Sequence, residues 1–357
     1  MKIIRYLLVP VSLIYGFVVE LIKWFYQIGI RKIHYSKIPI INIGNLSTGG
    51  TGKSPHVSYL IELLSAKLNI AILSRGYNRK TKGVLWVEQD ALAQDTGDEP
   101  LQFKKEFPSV PVIVSEKRAL ALPHIQERYP NTELILLDDA FQHWALYSPI
   151  NILLTTFDQP FFEDFVLPTG NLREFRKGYQ RADIIIITKC PSSINTTQKS
   201  RFQKAIPLKE HQKIFFSYYE YVQPKVIGEC KVLSFEELKG MNVLMLVGIA
   251  DTSYLEHFMN ENAKSCEWLK FPDHHYFSEK DMDAMLEHYK RLKEQKGPTV
   301  VLTTGKDAMR LGIYQQKLRA CKLPIYSLPI EVKFAFGEEK KFEEAIEALL
   351  KKEKAIL

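Results

Sequence analysis

The chain has 357 residues, 46% hydrophobic and 25% charged, a balance that suits a soluble globular enzyme of one large or two medium domains. Its four cysteines, Cys190, Cys230, Cys266 and Cys321, are scattered with no C-x-x-C pair, which fits reduced thiols and argues against a zinc site. The formal charge of +7 admits nucleic acid, an anionic membrane or an acidic substrate, and does not choose among them.

Residues 1–37 come first. Tyr6 to Val19 is uncharged and strongly apolar, with Arg5 before it and Glu20 and Lys23 after it. The run is shorter than the roughly 20 apolar residues that span a bilayer. It resembles the start of a signal peptide, but no small-residue cleavage site follows. Trp24, Phe25 and Tyr26 then give way to Arg31, Lys32, His34 and Lys37. Aromatics beside a basic cluster suit a helix lying in the headgroup region of an anionic leaflet. The competing reading is a buried N-terminal helix. Pro10 either bends the helix or begins it.

Ile40 to Asn45 reads as a buried strand, followed by Leu46-Ser47-Thr48-Gly49-Gly50-Thr51-Gly52-Lys53-Ser54 and a helix over 53–68. Gly49, Gly50 and Gly52 let the backbone curl and turn its N–H groups inward. The helix aims its positive end at the same spot, Lys53 adds a full charge, and the Ser54 hydroxyl suits Mg²⁺. This is a phosphate-cradling P-loop, with Ser47 standing at the first glycine of G-x-x-x-x-G-K-[ST].

Further strands are expected at 70–74, 110–115, 134–139, 150–155 and 184–188, with helical stretches between them. That alternation predicts an α/β fold: a P-loop-containing parallel sheet sandwiched by helices, with ligands at the carboxyl ends of the strands. Ser74-Arg75, Asp98 and Asp138-Asp139 fall at or near such ends. Extended segments at 216–222 and 231–235 lead into a strand at 241–249 and a helix near Thr252. A capped helix follows from Ser278 to Gln295, then a strand at 299–304. This predicts a second, smaller α/β domain. The expected division is 1–37 membrane-surface helix, 38–225 P-loop nucleotide-binding domain and 226–357 smaller domain with an amphipathic terminal helix.

Several residues carry candidate chemistry. Asp138 and Asp139 end an apolar strand, as the acids that hold Mg²⁺ beside a P-loop do. Gln142 and His143 follow into a helix, as partners of that site or as polar fillers. Asp98 lies in Gly97-Asp98-Glu99-Pro100, where it is either a base for an acceptor hydroxyl or ordinary turn chemistry. Arg75, Arg118 and Arg173 suit phosphate clamping, and Arg173 with Glu174 suits an acceptor site. Asp273-His274-His275 places imidazoles beside an acid. Thr188-Lys189-Cys190-Pro191 lacks the acid that reads guanine, which weakens a GTPase reading.

Taken in order, these motifs resemble those of the tetraacyldisaccharide 4'-kinase family of lipid A biosynthesis. The resemblance runs through Gly44-Asn45-Leu46-Ser47, the P-loop, Ser74-Arg75-Gly76-Tyr77, Gly97-Asp98-Glu99-Pro100 and Asp138-Asp139-Ala140-Phe141-Gln142-His143. It continues through Leu167-Pro168, Leu172-Arg173-Glu174, Phe271-Pro272-Asp273-His274 and Lys306-Asp307-Ala308. Ala140 stands where many members carry glycine. The resemblance implies a two-lobed kinase joined by a β-ribbon, using ATP and Mg²⁺ on an acylated glucosamine disaccharide 1-phosphate. It implies a monomer at the cytoplasmic face of the inner membrane, with no nucleic-acid partner. It implies Asp98 with His274 as the base dyad, His275 being the adjacent alternative. Residues 47–54 (Ser47, Thr48, Gly49, Gly50, Thr51, Gly52, Lys53, Ser54) would bind ATP. Ser54, Asp138 and Asp139 would hold the metal, and Arg75, Arg118, Arg173 and Glu174 would face substrate. The rivals are a P-loop GTPase or ATPase switch and a non-catalytic nucleotide sensor at the membrane.

Overall fold

The computed structural model describes residues 7–227, 231–320, 323 and 325–355. Arg5, Tyr6, Cys230 and Cys321 lie outside the described residues. Helix α1 spans Val9–Gln27. Pro10 sits in its first turn, where no intrahelical N–H is needed, so it begins the helix and does not bend it. The helix docks through one stripe. Ser12 Oγ donates to Thr169 Oγ1 at 2.7 Å and accepts from Thr169 N at 2.9 Å. Gly16 lies against the ring of Phe175. The remaining surface bares Leu13, Ile14, Phe17, Val18 and Trp24. The helix continues through Glu20 and Lys23, which pair at 3.8 Å, while Lys177 reaches Glu20 at 3.2 Å. At 19 residues α1 outlasts the uncharged run and, by length and composition only, is long and apolar enough to cross a membrane.

The first body follows as β1 (Ile40–Asn45), α2 (Lys53–Ser65), β2 (Ile70–Ser74), β3 (Leu85–Trp86), α3 (Asp98–Glu106), β4 (Val112–Val114) and α4 (Ala121–Arg128). It continues with β5 (Leu134–Asp138), β6 (Ile150–Thr156), β7 (Ile184–Thr188), α5 (Thr196–Ala205) and β8 (Lys213–Tyr221). Strands β1, β2, β5 and β7 are buried along their whole length, which is why they read as unbroken apolar runs. β1 pairs in parallel with β5 on one side and β6 on the other. The carboxyl end of β1 is thus the switch point where an α/β sheet opens its crevice.

The second body holds β9 (Lys225–Val226), α6 (Phe235–Lys239), β10 (Asn242–Val247), α7 (Ser253–Asn262) and β11 (Ser265–Lys270). After these come α8 (Glu279–Lys296), β12 (Thr299–Thr304), α9 (Gly305–Leu311) and β13 (Ile325–Leu328). Its five strands run β11-β10-β12-β13-β9. Ser278 caps α8 in a reciprocal box with Asp281. The extended segment expected at 231–235 holds for 231–233, where Val232 bridges Lys225 antiparallel, and ends at Ser234, which accepts from Glu237 N and opens α6.

The chain then returns. β14 (Ile330–Phe334) pairs antiparallel with β8, completing a nine-stranded sheet ordered β14-β8-β7-β6-β1-β5-β2-β4-β3. Helix α10 (Glu339–Lys354) buries Phe342, Ala345, Ile346 and Leu350 in the same core as Val57, Leu60 and Ile61 of α2. The expected assignment of everything after 226 to the smaller unit therefore fails for this tail. Its apolar stripe fits the first sheet, which the terminal charge run alone did not reveal.

Candidate active site

The loop after β1 is built by its glycines. Gly52 caps α2 at φ 86° and Gly49 sits at φ 111°, both left-handed conformations that side chains resist. Asn45 Nδ2 donates to Thr51 Oγ1 at 2.8 Å, and Thr188 Oγ1 donates to the Thr51 carbonyl at 2.8 Å. The segment 167–174 braces the loop from outside: Thr48 N donates to Asn171 O and Arg173 N to Leu46 O, both at 2.7 Å.

Three side-chain groups converge around this loop. In the first, Lys53 Nζ lies 3.6 Å from Asp139 Oδ2 and Arg173 Nη1 lies 3.1 Å from Asp139 Oδ1. Burial pushes the Asp139 carboxyl up, but Lys53 and Arg173 outweigh it and hold the group below its usual range. Arg118, buried, donates to the Asp139 carbonyl at 3.2 Å. In the second, the Ser54 hydroxyl donates to Glu99 Oε1 at 2.5 Å, and Lys306 pairs with the same oxygen. Burial opposes charge on Glu99, and Lys306 overcomes it, so Glu99 stays below its usual value. In the third, Asp98 Oδ2 accepts from Arg310 Nε at 3.1 Å and also from Arg310 Nη2, and His274 Nδ1 lies 3.1 Å away. Burial works against the Asp98 charge, yet His274, Arg310 and Lys306 hold the carboxyl well below the ordinary range. The Asp98 hydrogen bond raises His274.

The donor set fits Mg²⁺. Asp138, buried at the end of β5, accepts from Ser74 Oγ at 2.9 Å, while its Oδ1 has no hydrogen-bond partner among the described residues. Burial, then the charges of Glu99 and Asp139, push its carboxyl up to about 7. Among the described residues no three His, Cys, Asp or Glu form a closed metal cage. Mg²⁺ needs none, because it keeps waters and takes phosphate oxygens.

Other expected residues fall elsewhere. Arg75 is exposed on the loop after β2, where its charge helps hold buried Arg118 down to about 10 after burial itself. Glu174 corrects its expectation. It is fully buried, clamped by Arg181 at 2.7 and 2.8 Å and by Gln142 Nε2 at 2.9 Å. Gln142 also donates to the Asn45 carbonyl at 2.9 Å, so Glu174 braces the P-loop strand and does not face substrate. Gln142 and His143 lie in a turn, not a helix. His275 pairs with Asp281 at 2.9 Å, so His274 is the histidine that meets Asp98. Glu99, Lys306 and Arg310 were not singled out as site residues from sequence. Lys306 and Arg310 share a face of α9, four positions apart, but only the fold brings that face to α3.

The family model described as Tetraacyldisaccharide-1-P 4'-kinase matches residues 4–351. The chain is 39% identical over 349 residues to the tetraacyldisaccharide 4'-kinase of Flavobacterium psychrophilum, covering 97% of each chain. It is 37% identical to the enzyme of that name from Phocaeicola vulgatus, covering 97% of this chain and 95% of that one. Its structure superposes with TM-score 0.74 on the crystal structure of a protein of this family from Aquifex aeolicus in complex with ATP. That pair is 29% identical and covers 97% and 99% of the two chains.

Proposed function

The chain belongs to the tetraacyldisaccharide 4'-kinase family, and from that premise we propose how its residues divide the work. It is an ATP-dependent lipid A 4'-kinase, moving the γ-phosphoryl of ATP to the 4'-hydroxyl of a tetraacyldisaccharide 1-phosphate. The single observation that carries the residue assignments is the meeting of Asp98 and His274 beside the P-loop from two different bodies.

Residues 47–54 cradle the triphosphate through turned-in amides and the α2 N-terminus, with Lys53 on the β/γ-phosphates. Lys53 is paired with Asp139 in this structure, so its charge is already aimed at the crevice. Ser54, Asp138 and Asp139 would hold Mg²⁺, which supplies charge neutralisation on the phosphate oxygens. Arg118 and Arg173 stand close enough to Asp139 to take up charge on the transferring group. Arg75, exposed at the crevice rim, suits an anionic group of the acceptor. Asp98 accepts the proton of the sugar hydroxyl, with His274 assisting. The protein's task is positioning and electrostatics, because phosphoryl transfer asks little covalent chemistry of it.

The bared apolar surface of α1 and the basic residues after it support docking of a monomer on the cytoplasmic leaflet, where an acylated substrate is met. The +7 charge then serves a phosphorylated lipid and an anionic surface, not nucleic acid.

The test is to incubate purified protein with γ-labelled ATP and a monophosphorylated acyl-disaccharide. Label in a bisphosphorylated lipid is expected. Release of inorganic phosphate with no lipid product would favour a hydrolytic switch instead.

A further inference from the structure

We propose that Arg310 is a positioning residue for phosphoryl transfer: it locks the Asp98 carboxylate across the gap between the two bodies so that Oδ1 stays available to the acceptor hydroxyl. This rests on the reading of Asp98 and His274 as the base pair.

The geometry divides the two carboxylate oxygens. Oδ2 takes both contacts from Arg310 and the one from His274. Among the described residues Oδ1 accepts only from the neighbouring Glu99 N–H, at 3.0 Å, and keeps a lone pair. A fork of two N–H groups on one oxygen fixes the rotation of a carboxylate that a single imidazole would leave free to turn. Arg310 is itself immobilised. Its Nη1 donates to Asp307 Oδ1 at 2.8 Å and to Gly248 O at 2.9 Å, and the residue is 2% exposed. Asp307 is held in turn by Thr304 Oγ1 at 2.7 Å and Gly248 N at 3.1 Å. The strut therefore runs from the β10 carboxyl end through α9 to the first residue of α3.

Arg310 also sets the charge balance of the pair. Its Nη2 lies 3.3 Å from His274 Nδ1, so its charge opposes a proton on that ring while favouring the Asp98 anion. The other groups facing the pair are Lys306 and Asp307 on α9, Glu99 on α3, Asp273 at 3.8 Å from His274 Nε2, the Tyr77 ring against His274, and the Tyr276 phenol. With the guanidinium removed, both members of the pair bind protons more readily, and the acid limb of the rate profile moves to higher pH.

The experiment uses the full chain with ATP and a monophosphorylated acyl-disaccharide in detergent micelles. Arg310→Gln removes fork and charge, and Arg310→Lys keeps only the charge. For Arg310→Gln we expect kcat to fall about 100-fold near neutral pH, with the KM for ATP within about threefold. Its acid limb should rise by about one pH unit. Arg310→Lys should lose about tenfold in kcat with its limb in place. Asp98→Asn and His274→Ala are measured beside them, and near-wild-type turnover in both overturns the base reading and this inference together. If those two are inactive, a loss in Arg310→Gln that is equal at every pH, or under about twofold, overturns this inference alone. Should Arg310→Gln melt below the assay temperature, Arg310→Lys decides, and kcat within about twofold of wild type would reject the strut.

Discussion

At the scale of single residues, Gly52 shows how little freedom the phosphate cradle has. A Cβ there would sit 1.8 Å from Tyr219 Oη, and its φ of 86° already disfavours any side chain. Gly52→Ala should cost about 1–3 kcal/mol from overpacking alone and weaken ATP binding by at least about tenfold. A thermal melt and an ATP titration check this, and wild-type affinity in the variant would refute the reading. Tyr219→Phe in the same background should return part of the loss, since that hydroxyl is buried with no hydrogen-bond partner among the described residues. His274 supports a pH prediction. Its folded value is raised by Asp98, so its stabilising contribution is full below its ordinary value of 6.5 and fades as pH rises through the elevated one. Asp98 is depressed, so its own contribution is present above the ordinary 3.8 and lost only in stronger acid. His274→Ala should therefore lower the melting temperature more near about pH 6 than near about pH 9. An equal drop at both would separate His274 from the Asp98 charge. The P-loop residues were legible because their chemistry is local: glycines, a lysine and a hydroxyl in one short run. Glu99, Lys306 and Arg310 were not, because their partners lie 45 to 212 positions away along the chain. Glu174 carried the opposite lesson: a polar loop residue became a fully buried brace once Arg181 and Gln142 closed on it.

At the scale of elements, α1 is held by small residues on one stripe. An ideal Cβ at Gly16 would lie 2.4 Å from Phe175 Cζ, too close for any side chain without movement. Gly16→Leu should undock the helix at a cost of about 1–3 kcal/mol, read as a lower melting temperature and faster proteolysis near residue 30. Unchanged protection would show that the Ser12–Thr169 and Glu20–Lys177 contacts suffice. Thr169 lies within the segment that braces the P-loop and Phe175 directly follows it, so the N-terminal helix and the nucleotide cradle share a support. Most elements could be read from sequence because buried parallel strands make unmixed apolar runs and Ser278 advertises its cap. The exceptions have physical causes. Residues 231–233 are extended as expected, but the stretch ends early because Ser234 and Glu237 form a capping box that starts a helix. Residues 142–143 follow a buried strand, yet Gln142 is drawn to Asn45 and Glu174, and the backbone turns there.

At the scale of the whole molecule, the chain crosses between bodies twice, from β8 into β9 and back from β13 into β14. The return was invisible to a reading in chain order, since pairing of β14 with β8 is a choice between distant edges. Its consequence is that two neighbouring strands connect the bodies while Asp98, Glu99, His274, Lys306 and Arg310 meet in the cleft between them. The proposed base pair, its Arg310 contact and the phosphate cradle are complete only when the bodies are together, so the proposed transfer depends on closure. The most direct measurement is acceptor phosphorylation by Asp98→Asn and His274→Ala, with ATP affinity determined on the same preparations. The account predicts kcat reduced by about 100-fold or more in each, with ATP affinity unchanged. Wild-type turnover in both variants, or loss that merely follows loss of ATP binding, would contradict it.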